Sequence, residues 1–332
     1  MKGCLRNYQE EFRKVERVLV TGGGGFIGSH LARALLAQGY AVRVLDNFFS
    51  GHRENLAEIL DDIELIDDAE GLISLDVCER AVRDVDFILH QGAVPSVPRS
   101  LANPVYTDRV NVGGTVALLE AAHKAGVSRF VYASSSSVYG DAPGEIRSED
   151  GGLQPLSPYA VSKLAMEMYA VMYHRLHGLE TVGLRYFNVF GPRQDPESQY
   201  AAVVPIFTRE LLRGNSPVIY GDGGQSRDFT YIDNVVSGNI LAMKAGGAGG
   251  EVFNMAAGDN HSVNELFSKL RAITGTEGIE ATYAPSRKGD VFRSQADVSK
   301  AKKLLDFDVL VSFDEGLCRT VEWYQNNTDG IS

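Results

Sequence analysis

Tyr159 and Lys163 stand four residues apart at the start of a stretch, Tyr159 to Leu176, whose apolar residues recur at helical spacing. On a helix that separation brings both side chains onto one face. A phenol with a reference pKa of about 10 is a poor base near neutrality, unless a neighbouring positive charge favours its anion. Reaching about 7 takes roughly 4 kcal/mol of differential interaction, within reach of charges in a cleft. Tyr-x-x-x-Lys alone also arises on solvated helix faces. The run Ser134-Ser135-Ser136-Ser137 singles it out here, because it directly follows the apolar segment Arg129-Phe130-Val131-Tyr132. Those hydroxyls then stand at the C-terminal end of a buried strand, where ligands of parallel sheets bind.

A second cluster supplies binding chemistry. Thr21-Gly22-Gly23-Gly24-Gly25-Phe26-Ile27-Gly28 has glycines at G-x-x-G-x-x-G spacing, between the strand pattern Arg17-Val18-Leu19-Val20 and an amphipathic stretch from Phe26 to Gln38. Strand, glycine turn and helix in this order form a dinucleotide-binding context. The first glycines let the backbone approach a pyrophosphate, Gly28 lets helix and strand pack closely, and the helix N-terminus faces the phosphates. Asp46 ends the next strand pattern, Ala41 to Leu45, where it can accept hydrogen bonds from an adenosine ribose. A carboxylate there repels a 2′-phosphate and favours NAD over NADP, although nearby Arg53 leaves NADP open. Asp76-Val77 closes another apolar run and reads either as an adenine contact or as a turn. His90-Gln91-Gly92-Ala93 follows the strand pattern Phe87-Ile88-Leu89, where the chain must pass close to the cofactor. A positive nicotinamide ring would join the ammonium in favouring the Tyr159 phenolate.

These segments, with Thr181-Val182-Gly183-Leu184, alternate with helical patterns such as Thr115 to Lys124. The alternation predicts an α/β fold with a doubly wound parallel sheet of Rossmann type over residues 16–190, preceded by a polar extension, 1–15. After about residue 190 turn-rich segments take over, among them Gly221-Asp222-Gly223-Gly224 and the surface loop 246–250. They predict a smaller α/β lobe, 191–332, mainly substrate-binding, with some chain returning to the first domain. The net charge of −11 over 332 residues argues against a nucleic-acid-binding surface, while arginines in a cleft can still hold a small anion. No apolar run approaches about eighteen residues and the start is charged, so a cytoplasmic chain without a membrane partner is expected. Cys4, Cys78 and Cys318 are scattered without metal-ligand spacing, which points to idle thiols and no metal site.

With these residues in place the chain resembles the extended short-chain dehydrogenase/reductases, specifically the NAD-dependent nucleotide-sugar epimerases, from about residue 16 to 325. The resemblance rests on TGGGGFIGSH, LDNFFSG, SSSSVYGD, SPYAVSKLAMEMY, LRYFNVFGPRQ, SRDFTYIDNV and RKGDVFRSQAD in that order. Through VPSVPRSLANP, FGPRQDP and FRSQADVSKA it is most like bacterial UDP-N-acetylglucosamine 4-epimerases. The resemblance implies a UDP-sugar 4-epimerase working through a transient 4-keto sugar, with NAD regenerated in every cycle. Tyr159 would take the proton from the 4-hydroxyl, Lys163 would hold the nicotinamide ribose, and Ser135 would bond the same hydroxyl, with Ser136 as its substitute. Cofactor contacts are implied at Gly22, Gly25, Phe26, Ile27, Gly28, Asp46, Asn47, Ser50, Gly51, Asp76, Val77, Gln91, Ala93, Tyr186 and Val189. Substrate contacts are implied at Ser96, Asn188, Ala202, Val203, Asp290 and Ser294, with Arg227 and Arg287 on the phosphates and Val218 and Tyr220 flanking the uracil. An arginine fork suits a diphosphate better than a point charge does.

Ser294 is small where some epimerases restricted to plain hexoses carry tyrosine, which leaves room for an N-acetyl group. Gly92 and Pro95 depart from the family pattern in a loop expected to border the sugar. Related dehydratases and decarboxylases carry acidic residues where Ser136 and Ser137 stand, so this chain lacks their additional acid/base; a uronic acid epimerase remains an alternative. A non-catalytic NAD sensor would be expected to lose the Tyr159/Lys163 pair. Leu118, Leu119, Met166 and Met172 enrich two helices that pair into a dimer interface in similar proteins, so the resemblance implies a homodimer, with core burial as the other account of those residues.

Overall fold

A computed structural model describes residues 15–196, 202–286 and 293–327. The N-terminal extension, Cys4, Arg287 and Asp290 therefore lie outside the described residues. Strands β1 (Arg17–Thr21), β2 (Ala41–Asp46), β3 (Ile63–Asp67), β4 (Phe87–His90) and β5 (Arg129–Ser135) join β7 (Thr181–Tyr186) and β12 (Glu251–Met255) in one parallel sheet. Its order, β12-β7-β5-β4-β1-β2-β3, reverses between β1 and β4. Ligands of doubly wound sheets bind in the crevice at such a reversal, beyond the strand C-termini. The short strands are β6 (Ile146–Arg147), β8 (Val189–Phe190), β9 (Val218–Tyr220), β10 (Ser226–Arg227), β11 (Thr230–Tyr231), β13 (His261–Ser262), β14 (Thr282–Ala284) and β15 (Arg293–Ala296). Four of them form a second sheet, β13-β10-β15-β6, and β8–β11 and β9–β14 pair separately.

The helices are α1 (Phe26–Ala37), α2 (Leu75–Ala81), α3 (Val97–Ala102), α4 (Pro104–Asp108), α5 (Gly114–Ala125), α6 (Pro158–His177), α7 (Val203–Leu212), α8 (Ile232–Lys244), α9 (Val263–Thr274), α10 (Ser299–Leu305) and α11 (Phe313–Asn326). Strand side chains alternate between the sheet's faces. Val18 and Val20 accordingly pack with α1 and α8, whereas Leu19 packs with α2, α5 and α6. Both faces are covered, which is why the strand patterns read as continuous apolar runs. None of the helices among the described residues is long and apolar enough to cross a membrane.

Two strands of the main sheet escaped the sequence patterns. β3 is an edge strand in which half-buried Ile63, Leu65 and Ile66 are interrupted by exposed Glu64 and Asp67, so it forms no continuous buried run. The apolar run that ends at Leu75 is a turn leading into α2, begun by Gly71 at φ +51°. β12 returns from the C-terminal half to the far edge beside β7. Leu118, Leu119 and Met166 are at most 1% exposed, so core burial accounts for them.

Candidate active site

The glycine turn is shaped by close backbone approach. A Cβ on Gly28 would lie 2.1 Å from the Gly22 oxygen, and Gly22 itself holds φ +68° with its Cα packed against Gly92. Neither position admits a side chain without moving main chain. The turn opens onto a cleft of about 510 Å³ at the sheet's reversal, lined by Gly22, Gly25, Phe26, Ile27 and Gly28. Asp46, Asn47, Ser50 and Gly51 form its wall after β2, and Gln91, Ala93 and Ser96 the wall after β4. The Asp46 carboxylate accepts hydrogen bonds from Gly24 N at 2.8 Å and Phe48 N at 2.7 Å. Burial raises its pKa while these amides oppose the rise. Arg53 pairs with Asp67, the cross-strand neighbour of Asp46, and its guanidinium lies 4.2 Å from the centroid of the Phe48 ring.

The reactive groups enter the same cleft from α6. Ser157 caps the helix by accepting from Ala160 N at 3.1 Å, and Pro158 occupies its first turn; both favour helix initiation here. Tyr159 thus sits in the first turn and Lys163 one turn deeper, both on the cleft wall with Tyr186. Lys163, 3% exposed, donates from Nζ to the Ala133 carbonyl at 2.9 Å and lies 5.8 Å from the Tyr159 ring centroid. The Ser135 hydroxyl hydrogen-bonds the Tyr159 phenol, and accepts from Ser137 N at 3.2 Å and Ser137 Oγ at 2.9 Å. Burial raises the Tyr159 pKa and the Ser135 bond opposes it. The Lys163 ammonium is directed at the Ala133 carbonyl, and burial is the largest influence on the phenol within the chain. Burial also pushes Lys163 down to about 8, against the pull of the Glu167 carboxylate.

Asn188, two residues beyond Tyr186, lines a second cleft of about 380 Å³ with Val203, Val218, Tyr220 and Arg227. Tyr186 of the first cleft and Asn188 of the second are two residues apart on one chain segment, which spans at most about 7 Å. Asn188 Nδ2 donates to the Asp228 carbonyl at 3.1 Å. Ser294 pairs with Arg227 in the small sheet. The Asp228 carboxylate accepts from Ala257 N, Gly258 N and Ala296 N at 3.0–3.2 Å, tying β10 to β15 and to the loop after β12. Burial pushes Asp228 up to about 7, with those three amides opposing.

Comparison with known proteins places this geometry. Residues 18–256 match the model of the NAD dependent epimerase/dehydratase family. The chain belongs to that family. A UDP-glucose 4-epimerase of Mycolicibacterium smegmatis is 40% identical over 321 residues, covering 94% of this chain and 99% of the relative. The structure of UDP-N-acetylglucosamine 4-epimerase from Methanobrevibacter ruminantium, in complex with UDP-N-acetylmuramic acid, superposes with a TM-score of 0.89 at 38% identity, covering 94% and 99% of the two chains. A Thermus thermophilus UDP-glucose 4-epimerase in complex with NAD gives 0.85 at 37% identity, with the same coverage. NAD is the cofactor of this epimerase/dehydratase family member, and the residues present suit it. The glycine turn leaves no room for Cβ atoms at Gly22 and Gly28, as close approach of a pyrophosphate would require, and Asp46 lines the same cleft, where it would accept from a ribose.

Several implied contacts fall elsewhere in the family member. Asp76 is exposed in the first turn of α2 and Val77 is buried beneath α5. The cleft wall nearby is formed by Ala69, Glu70, Gly71, Leu72 and Ile73, where the chain turns before entering α2. Ser135, Ser136, Val189 and Ser294 line neither cleft, Ser135 reaching the site only through the Tyr159 phenol, and Ala202 is the exposed residue capping α7. Sequence reasoning also missed Asn239, whose amide joins Tyr186 Oη at 2.8 Å and Gln91 at 3.2 Å to brace the cleft floor. Polar residues inside an apolar helix pattern were the available signal.

Proposed function

We propose that this enzyme is a 4-epimerase of UDP-sugars, with UDP-N-acetylglucosamine and UDP-N-acetylgalactosamine as its pair and UDP-glucose and UDP-galactose as smaller substrates of the same pocket. The observation that carries this reading is one chain segment serving two clefts: Tyr159 and Lys163 line the dinucleotide cleft with Tyr186, Ser135 bonds the Tyr159 phenol, and Asn188, two residues beyond Tyr186, lines the second cleft with Arg227. Bound NAD supplies oxidation and re-reduction at carbon 4. The chain's own groups handle the proton: Tyr159 receives it from the 4-hydroxyl and later returns it, while Ser135 donates to the phenol oxygen and stabilises its anion. Lys163 orients the nicotinamide ribose. Arg227 binds a diphosphate oxygen and Val218 and Tyr220, 43% and 36% exposed, flank the base. The lack of a carboxylate at 136 and 137 favours epimerisation over dehydration or decarboxylation.

The N-acetyl preference is supported by Ser294, a small residue paired with Arg227. Incubation with UDP-GlcNAc, UDP-glucose and UDP-glucuronic acid, with products resolved chromatographically, tests both parts. Expected is UDP-GalNAc from UDP-GlcNAc without added NAD. A strong preference for UDP-glucose would reject the N-acetyl assignment, and turnover of the uronic acid alone would reject the substrate pair.

The active form is a homodimer. α6 carries exposed Val161, Met168 and Leu176 at 51%, 67% and 70%, and Val105 on neighbouring α4 is 78% exposed. An apolar stripe of this kind is self-complementary about a two-fold axis.

A further inference from the structure

Beneath α6 lies an ion pair that the proton transfer does not use. Glu167, one turn beyond Lys163, and Arg185 on β7 are each 4% exposed. Arg185 Nε donates to Glu167 Oε1 at 2.9 Å and its Nη2 donates to Oε2 at 2.8 Å. Ser134 Oγ donates to the same carboxylate at 2.5 Å. Arg185 Nη1 donates to Tyr139 Oη at 2.9 Å, and Tyr139 in turn donates to Asn254 Oδ1 on β12 at 2.6 Å. In the sheet Ser134 is paired with Arg185, and Ser135 with Tyr186. One buried cluster therefore grips the helix that delivers Tyr159 and Lys163, the strand that delivers Ser135 and the strand that delivers Tyr186. Apolar replacement of a buried ion pair is often neutral or stabilising, so stability by itself is a weak reason for this one. What apolar packing cannot reproduce is its directional geometry.

We propose that Glu167 is a positioning residue of the reaction: by bridging Arg185 and Ser134 it holds α6 against β5 and β7 at the spacing the Tyr159 phenol, Ser135 hydroxyl and Lys163 ammonium require. The inference rests on Tyr159 as the acid/base. Glu167 also acts on Lys163 by charge. The titratable groups facing that ammonium are Tyr159 and Glu167 on α6 and His90 on β4, with Tyr186 of β7 lining the same cleft, while Tyr132 on β5 and Arg185 on β7 face Glu167.

The test uses the full chain loaded with NAD. Glu167→Gln should lower kcat about 10- to 100-fold, the scale of a small misplacement of reacting groups, with KM for the UDP-sugar little changed and NAD retained. The limb of the pH profile set by Lys163 should move to lower pH, because the ammonium loses a favourable charge. A Glu167→Met/Arg185→Met double variant removes both charges at similar volume; it should fold with a Tm near or above wild type and remain slow. Wild-type kcat in that double variant, or a Glu167→Gln loss confined to KM, overturns the proposal. Tyr159→Phe measured in parallel separates the two readings, since full activity there would discard the acid/base assignment itself.

Discussion

Lys163 Nζ is bonded to the Ala133 carbonyl oxygen at 2.9 Å, two residues before Ser135 on the same strand. The ammonium is thus anchored to the element that presents the hydroxyl to Tyr159. Helix and strand meet through a charged hydrogen bond, which is stronger and more directional than a neutral one.

Replacing Tyr159 with Phe should lower sugar interconversion by about 10²- to 10⁴-fold, the range of positioned proton transfer, while NAD stays bound. Ser135→Ala should act in the same direction but less, since it removes the bond that opposes the raised phenol pKa. Its pH profile should need more alkaline conditions than wild type. Steady-state rates across pH check both.

Gly28→Ala should abolish NAD retention, because the new Cβ would meet main-chain atoms at 2.1 and 2.8 Å that cannot yield. Gly113→Ala is the control. Nothing lies within 4 Å of a Cβ there, and alanine is favoured in helical backbone by about 1 kcal/mol. Cofactor content of the purified proteins, read by absorbance after denaturation, distinguishes them.

His90 should make the protein acid-sensitive. It is 1% exposed between Thr21 Oγ1 at 2.7 Å and Thr115 Oγ1 at 2.9 Å. Thr115 donates its one proton to the Asn111 carbonyl, so it accepts from His90 Nε2–H, and Nδ1 accepts from Thr21. Burial pushes His90 down to about 3, below its unfolded value of about 6.5. Between those values the unfolded chain binds the proton and the native chain does not. Stability therefore rises with pH across this window, with a slope from this residue of up to about 1.4 kcal/mol per pH unit. Urea midpoints between pH 4 and 7 should show that slope in wild type and a reduced one in His90→Gln.

Met168→Glu combined with Leu176→Glu should convert the proposed homodimer to a monomer, by placing charges on the exposed stripe of α6. Light scattering coupled to size exclusion reads the mass directly. A wild-type protein that is already monomeric at micromolar concentration would sink the assignment of the stripe.

Much of the site was legible because its signals are local. A glycine turn needs a strand before it and a helix after it, all within residues 17–37, and Tyr159 and Lys163 share a face through helical repeat alone. Asp76 lines neither cleft, because the apolar run before it folds into a short turn at Gly71–Ile73 and Asp76 opens α2, a change of direction that apolar content does not signal. The expected dimer pairing rests on Leu118 and Leu119 of α5 and Met166 and Met172 of α6, of which the first three are buried and Met172 is partly buried. Composition cannot distinguish an apolar residue facing the sheet from one facing solvent when both faces of a helix are apolar.

The sequence by itself determined the class of fold, the dinucleotide turn and the tyrosine–lysine–serine set, since each depends on periodicity and short spacing. Only the tertiary structure decided that Arg53 turns to Asp67, that burial raises the Tyr159 pKa, and that Glu167 meets Arg185 and Ser134. Those outcomes depend on desolvation and on contacts between residues 14 to 33 positions apart, set when helices and strands dock and invisible in any local pattern.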